Sequence, residues 1–278
     1  MTDNRDPGAT GICTAIDRPT RPCMTSGPLK GTLRKAGFAA VAILAMHAAH
    51  AAEIKVFAAN AVKEPFLELA AAFERATGHK VNASFSGTAG VVKKVADGEA
   101  VDLVIVGSDS IDKLIRDGKL VNSSRADFAK SGVGVAVRPG SPKPDLSSEE
   151  GVKKAVLAAR SVAYSSGPSG VYIAELFKRM GISDQVKDKL VLPPSNVLVG
   201  DLLARGEVDL GFQQVSDLVN VKGIDYVGPL PASIQNVTVY SIGLHPAAPA
   251  SEAARALVKF LTGPEARPVV GKSGMEPG

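Results

Sequence analysis

Cysteine and tryptophan are scarce in this chain of 278 residues. Tryptophan is absent, and the two cysteines, Cys13 and Cys23, both precede Met24. The chain beyond Met24 therefore forms no disulfide and offers no thiol for catalysis. Aromatic residues make up 5% of the sequence. That scarcity argues against sites that stack sugars or single-stranded nucleic acid on aromatic rings.

Several motifs of nucleotide, metal and acyl-transfer chemistry are also missing. The sequence has no GxxxxGK[ST] phosphate loop, and no GxGxxG follows a strand pattern. His79 and His245 are the only histidines beyond residue 51, and neither belongs to a spacing such as HExxH. We therefore expect no metal site and no cofactor. No GxSxG elbow supports a serine nucleophile, although a Ser-His-Asp triad assembled by the fold stays open.

The first fifty residues have the pattern of a targeting segment. Three basic residues precede an apolar run from Ala36 to Met46, and residues 49–51 fit a small-x-small cleavage site. The run is shorter than the ~20 residues that span a bilayer. We predict that residues 1–51 are an extension and a signal peptide cleaved near Ala51, which makes the protein periplasmic. An uncleaved membrane anchor is the alternative.

Cleavage would also change the net charge. The sequence holds 32 basic and 28 acidic residues, of which six and three lie in residues 1–51. The remaining 26 and 25 give a net charge of +1, so charge does not indicate a nucleic-acid partner. The residues before Met24 fit an upstream extension, and translation begins at Met1 or Met24.

Strand and helix patterns alternate from residue 53 onward. Residues 54–59, 80–85 and 101–106 have strand patterns, and each is followed by apolar residues at helical spacing. This repeat predicts a parallel α/β sheet with right-handed connections. A second α/β unit follows, and proline-rich stretches near Arg138 and Pro229 bracket it.

We therefore predict an α/β protein of two lobes, with mixed sheets flanked by helices and two hinge crossings. Residues 53–135 and 236–278 form lobe 1, and residues 136–235 form lobe 2. A single continuous sheet is the alternative.

Several predicted strands end in small polar turns. The clearest turn is Ser84-Phe85-Ser86-Gly87-Thr88-Ala89-Gly90, and others lie at 58–61, 168–170 and 196–197. Ligands of open α/β sheets bind outside the carboxyl ends of strands, and the unpaired N–H groups of a first helical turn favour anions. The turns therefore predict an anion site. The alternative is that Thr88 is only a helix N-cap.

Segments along the whole chain from about Glu53 resemble the periplasmic molybdate-binding proteins of ABC importers. The resemblance lies in residues 56–59, 84–88, 102–105, 168–172 and 261–266. It implies the type II periplasmic-binding fold, whose two lobes close on an oxyanion. It also implies delivery of the ligand to the membrane subunits of an ABC importer, by a protein that is itself a monomer.

The same resemblance implies a set of ligand-binding residues, namely Asn60, Ala61, Gly87, Thr88, Ser169, Gly170, Val197, Gln213 and Gln214. The family carries a serine where this chain has Ala61, a serine-rich run where it has Gly87-Thr88-Ala89, and a tyrosine where it has Gln214. Amides both donate and accept hydrogen bonds, which favours a larger organic acid over a bare metal oxyanion.

Residues 213–216 and 223–231 also resemble the periplasmic aconitate isomerases, which share this scaffold. That resemblance implies an alternative function, the interconversion of cis- and trans-aconitate. Such an enzyme needs a base near a substrate carbon and donors for the carboxylates. Lys63, Glu64, Asp109 and Tyr172 lie near the predicted cleft and are candidates only, so no catalytic residue is assigned. Capture of a small oxyanion or organic acid for an ABC importer is the expected function.

Overall fold

The computed structural model describes residues 51–248 and 251–278. All but the last residue of the predicted extension and signal peptide therefore lies outside the described residues. None of the helices in this part of the chain combines the length and the hydrophobicity that a bilayer-spanning segment needs.

Strands and helices alternate along most of the described chain. The strands are β1 (Glu53–Ala59), β2 (Lys80–Ser86), β3 (Leu103–Gly107), β4 (Ala126–Val137), β5 (Val162–Tyr164), β6 (Leu190–Val191), β7 (Leu210–Gln214), β8 (Asp225–Pro229), β9 (Val237–Leu244) and β10 (Glu276–Pro277). The helices are α1 (Lys63–Thr77), α2 (Thr88–Ala96), α3 (Ser108–Arg116), α4 (Glu149–Ala158), α5 (Pro168–Arg179), α6 (Ser183–Val186), α7 (Val199–Ala204), α8 (Val215–Leu218), α9 (Ser251–Leu261) and α10 (Ala266–Lys272). Short 3₁₀ turns cover Asn60–Val62, Lys187–Lys189 and Ala232–Ile234.

Helix α1 shows how local sequence produces these elements. Phe66, Leu69 and Phe73 recur at helical spacing and are buried in the core of the first sheet, because residues three and four apart share one helix face. Gly78 ends the helix with φ of 75°, a left-handed conformation that glycine adopts without steric cost.

Strand β4 joins two sheets. Strands β2, β1 and β3 are parallel neighbours, and β9 lies antiparallel between β3 and β4. The first part of β4, from Ala126 to Gly132, pairs with β9. Its second part, from Val133 to Val137, pairs antiparallel with β7 and β8, and β5 lies parallel to β7 and β6. Hydrogen bonding therefore continues from one sheet to the next through a single long strand.

Each sheet has its own hydrophobic core. Side chains such as Phe66, Phe73 and Ile105 belong to one buried cluster, whereas Phe177 and Phe212 belong to another. A third cluster, which includes Val199 and Leu203, packs with Ala136 and Ala163 of the second sheet. The core of the first sheet is separate from both clusters of the second sheet, which gives the fold the two lobes that the type II periplasmic-binding resemblance implies. The partner change after Gly132 lies close to the boundary that we place at residue 135, and those lobe bounds stay a proposal.

Two short elements and half of β4 have no signal in the sequence. Helix α6 and strand β10 are four and two residues long, and β10 exists because it pairs with β4 near Lys130. Strand β4 begins at Ala126, six residues before the strand pattern starts at Gly132. Polar residues such as Asp127 interrupt the alternation there, and pairing with β9 stabilises the strand instead.

Candidate functional site

A small cavity lies where the carboxyl ends of β1, β2, β5 and β7 approach β9. Its volume is about 40 Å³, which is room for a few waters or for a small anion. The lining residues come from both sheets, and they are Ala59, Asn60, Ala61, Gly87, Thr88, Ser165, Ser166, Gly167, Pro168, Ser169, Ser195, Val197, Leu198, Gln213, Gln214, Asp217 and Tyr240.

The structure brings together nearly all the ligand-binding residues expected from the sequence. Those that line the cavity are Asn60, Ala61, Gly87, Thr88, Ser169, Val197, Gln213 and Gln214. Gly170 does not line it. Their assignment as ligand contacts stays a prediction, because a shared cavity places residues without identifying what they bind.

The loop between β2 and α2 contributes Gly87 and Thr88. Gly87 holds the N-cap position of α2 and Thr88 is the first helical residue, so the alternative that Thr88 is the cap is wrong. The Gly87 N–H donates to the carbonyl oxygen of Ser195 at 3.0 Å. This bond joins a loop beside the first sheet to a loop beside the second, directly at the cavity.

The loop between β5 and α5 contributes hydroxyl groups. Ser169 is 1% exposed, and its hydroxyl lies 3.0 Å from that of Ser165. The first-turn N–H groups of α5, at Ser169 and Gly170, have no acceptor within the helix. Gly170 has a packing role, since a Cβ there would lie 1.4 Å from the Ser165 carbonyl oxygen.

The loop before α7 places Val197 in the cavity wall. Its N–H donates to the carbonyl oxygen of Pro194 at 2.9 Å, within the turn. Val197 was predicted as a ligand-binding residue, and its side chain offers no polar group, so its N–H is the donor it could supply; in this conformation that N–H already has a partner.

The two glutamines at the end of β7 are tied into the protein. Gln213 Oε1 accepts from the Val199 N–H at 2.8 Å. The Gln214 amide lies 2.9 Å from the Thr238 hydroxyl, and its other end faces the carbonyl oxygens of Ser131 and Gly132 at 2.9 and 3.1 Å. Those carbonyls require the amide nitrogen on their side, so Gln214 connects β7 to β4 and β9.

The cavity residues that were not predicted as ligand contacts include three serines, Ser165, Ser166 and Ser195, and two titratable side chains, Asp217 and Tyr240. Gln213 Nε2 donates to Asp217 Oδ2 at 3.0 Å. Burial raises the pKa of Asp217 to about 7, and the Gln213 hydrogen bond opposes this shift. Burial, with the nearby charge of Asp217, raises the pKa of Tyr240 well above its ordinary value. A carboxyl four residues after Gln213 on the following helix was the available signal for Asp217.

The cavity wall is electrostatically unusual. Hydroxyl groups, amides and helix N-termini line it, but no lysine, arginine or histidine is among its lining residues. Asp217 and Tyr240 are its only titratable side chains. Neutral donors of this kind bind an anion without a formal counter-charge.

The four catalytic candidates lie away from this cavity. Lys63 and Glu64 are exposed in the first turn of α1. Asp109 and Tyr172 line a neighbouring groove of about 680 Å³, which shares Thr88 and residues 166–168 with the cavity. The Tyr172 hydroxyl donates to the carbonyl oxygen of Ile234 at 2.7 Å.

Residues 54–276 match one protein family, the bacterial extracellular solute-binding proteins. This match covers most of the chain. The protein belongs to that family.

Two curated proteins are similar in sequence to this solute-binding protein. An aconitate isomerase of a Pseudomonas species is 36% identical over 230 residues, which cover 81% of this chain and 87% of the relative. The molybdate-binding protein ModA of Azotobacter vinelandii is 30% identical over 234 residues, covering 80% and 89%.

Solved structures support the fold of this solute-binding protein. The periplasmic molybdate-binding protein of Azotobacter vinelandii superposes with a TM-score of 0.69 at 22% identity, covering 80% of this chain and 98% of that one. A tungstate ABC transporter structure from Geobacter sulfurreducens gives a TM-score of 0.63 at 17% identity, covering 79% and 98%.

Proposed function

We propose that this solute-binding protein captures a small anion in the cavity between its two sheets, in the periplasm, for delivery to an ABC importer. The observation that carries the proposal is the wall of neutral donors contributed by both sheets, with no basic side chain among the lining residues. Such a wall selects an anion that fits its donors, since binding then depends on hydrogen-bond geometry more than on net charge.

The size of the cavity bears on the ligand class. About 40 Å³ favours a compact oxyanion while the Gly87–Ser195 bond is formed. A larger organic acid needs that bond to open or has to extend into the neighbouring groove near Thr88. Molybdate and tungstate, named for relatives and neighbours, are therefore the first ligands to test.

A thermal-shift screen tests this function. The panel is molybdate, tungstate, sulfate, phosphate, citrate, cis-aconitate and trans-aconitate. A ligand that binds only the folded protein adds about 2.7 kcal/mol to the free energy of unfolding at a hundredfold excess over Kd. We expect a raised Tm with at least one compact oxyanion. If none of the anions in the panel raises the Tm, the proposal is contradicted.

Aconitate isomerisation is the second candidate function. The 36% identical isomerase and the presence of Asp217 and Tyr240 in one cavity favour it. The interconversion of cis- and trans-aconitate moves a proton between two carbons, which requires a group that both accepts and returns a proton near neutral pH. Ultraviolet absorbance of cis-aconitate mixed with the protein separates an enzyme from a binder. Conversion that is lost in Asp217→Asn supports the isomerase.

A further inference from the structure

Asp217 creates an electrostatic conflict in a cavity that binds anions. It lines the cavity together with Asn60, Thr88 and Ser169, and no basic side chain lies among the lining residues. An ionised carboxylate repels an anion at contact distance, and because Asp217 is half-buried in the cavity wall, water screens that repulsion only in part. A protonated carboxyl removes the repulsion and adds a hydrogen-bond donor.

Gln213 fixes the position of this carboxyl. Its amide nitrogen donates to Asp217 Oδ2 at 3.0 Å, while its amide oxygen accepts from the Val199 N–H at 2.8 Å. The amide thus bridges α7 and α8, and Gln213 is itself 3% exposed. One carboxyl oxygen is held by this bond, which leaves Oδ1 as the oxygen that can carry a proton.

The groups around α8 supply no compensating positive charge within the cavity. Helix α8 packs against β4, β7, β8, α7 and the 3₁₀ turn at Asn60–Val62. The titratable side chains on those elements and on β9 are Asp127, Lys130, Asp201, Asp225, Tyr226 and Tyr240. Of these, Tyr240 alone lines the cavity. Its pKa is raised well above the ordinary value, so it is neutral at physiological pH.

We propose that the cavity binds its anion together with one proton and that Asp217 carries this proton. The proposal rests on the anion-binding function proposed above and deepens it. As the anion enters, the Asp217 carboxylate takes a proton from solvent, and the new O–H donates a hydrogen bond to an anion oxygen. When the anion leaves, the carboxyl returns the proton to solvent.

The surroundings of the Asp217 carboxyl allow it to gain and lose its proton near neutral pH. Burial raises the pKa of Asp217 to about 7, so the ligand-free protein exchanges the proton in the physiological range. The negative charge of a bound anion shifts the equilibrium further toward the protonated form.

Isothermal titration calorimetry tests the proposal on the purified protein. Molybdate and cis-aconitate are titrated in parallel at pH 6, 7 and 8, in two buffers of different ionisation enthalpy. We expect proton uptake to rise toward about one per bound anion at pH 8, while affinity falls by up to about tenfold per pH unit above pH 7.

Two variants assign the proton. Asp217→Asn cannot titrate, so its affinity is expected to vary little between pH 6 and 8 and any remaining uptake belongs to the ligand. Asp201→Asn, in the first turn of α7 and outside the cavity, is the matched control and retains the wild-type pH dependence. Equal proton uptake in Asp217→Asn and wild type, or affinity that rises with pH, overturns the proposal.

A direct titration covers the case in which Asp217→Asn does not fold. Carbon-13 NMR of the aspartate carboxyls in the wild-type protein follows Asp217 with and without molybdate or cis-aconitate. An upward displacement of its titration by the bound anion supports the proposal, and an unchanged or lower midpoint overturns it. Anion binding without proton uptake at pH 8 overturns this inference alone. No binding of either probe at any pH overturns it together with the proposed function.

Discussion

The main-chain N–H of Gly87 donates a 3.0 Å hydrogen bond to the main-chain carbonyl of Ser195. A Cβ at position 87 would lie 2.7 Å from that same oxygen, closer than such atoms approach. Gly87 has φ of −61° and ψ of 154°, which any residue can adopt. The glycine is therefore needed for the approach of the two loops and not for its own backbone conformation.

Gly87→Ala is expected to weaken anion binding by about tenfold or more, because closing the loops around the cavity then requires a steric clash. Thermal stability should change little, since the loops can separate without unfolding either core. Calorimetric titration with the anion found in the screen measures the first effect, and thermal unfolding without ligand measures the second.

Gly90→Ala is the matched control for that variant. A Cβ at Gly90 lies nearest to the rotatable Ser86 hydroxyl, at 2.9 Å, and 3.8 Å from the Ser195 hydroxyl. The alanine also favours helix α2. Anion affinity within about twofold of wild type is expected, and equal losses in both variants contradict the closure role of Gly87.

Gly170→Ala is expected to destabilise the protein rather than to alter a ligand contact. The added Cβ would lie 1.4 Å from the Ser165 carbonyl oxygen and 3.2 Å from the Tyr164 ring. Overpacking against main chain costs about 3 kcal/mol, which lowers the Tm by roughly 6–12 °C in a protein of this size.

Gly167→Ala, in the same loop, provides the comparison. Its nearest contact for a Cβ is the Ser165 hydroxyl at 3.7 Å, which is ordinary van der Waals distance. A Tm within about 2 °C of wild type is expected from a change of at most ~0.5 kcal/mol. Similar Tm losses in both variants argue against the Ser165 contact as the cause.

Local periodicity explains which parts of the fold were predictable. Phe66 and Phe73 recur on one face of α1, and the strand before them is a short apolar run, so both elements follow from nearby sequence. Strand β10 and the first half of β4 depend on partners far along the chain. No local pattern encodes such pairing, and these elements were missed or shortened.

The candidate site divides in the same way. Thr88 and Ser169 follow strands in small polar turns, a pattern that sequence alone reveals. Asp217 and Tyr240 lie in a helix and a strand whose patterns are otherwise ordinary, and only the pairing of β4 with both β7 and β9 brings them to the cavity. Gly170 lies in the same turn as Ser169 but outside the cavity lining, and the Ser165 carbonyl oxygen occupies the space of its Cβ, so its role as a ligand contact stays a prediction.

Thr88→Val tests whether the hydroxyl at the start of α2 contacts the ligand. The change keeps the side-chain shape and removes one donor from the cavity, and an unsatisfied anion oxygen costs about 1–3 kcal/mol. Affinity for the anion found in the screen should fall by roughly 5- to 150-fold.

Thr262→Val is the matched control. It makes the same chemical change at an exposed position near the end of α9, where the hydroxyl donates to the Val258 carbonyl, and it should leave affinity unchanged. Equal affinities for Thr88→Val and wild type remove Thr88 from the site.

The stability of the ligand-free protein is expected to record the titration of Asp217. The carboxyl has a pKa of about 7 in the folded protein and about 3.9 in the unfolded chain. Between these values the folded state keeps a proton that the unfolded state has released, so the contribution of Asp217 to the free energy of unfolding decreases as pH rises from about 4 to about 7.

The Asp217→Asn variant has no titrating carboxyl at this position, so it lacks this decrease. Its free energy of unfolding relative to wild type should therefore rise through that window, by about 4 kcal/mol in total, and stay constant above it. Urea unfolding of both proteins at intervals between pH 4 and pH 8, with Asp201→Asn as the control, measures the difference. Parallel profiles for wild type and Asp217→Asn contradict a proton-carrying carboxyl at this position.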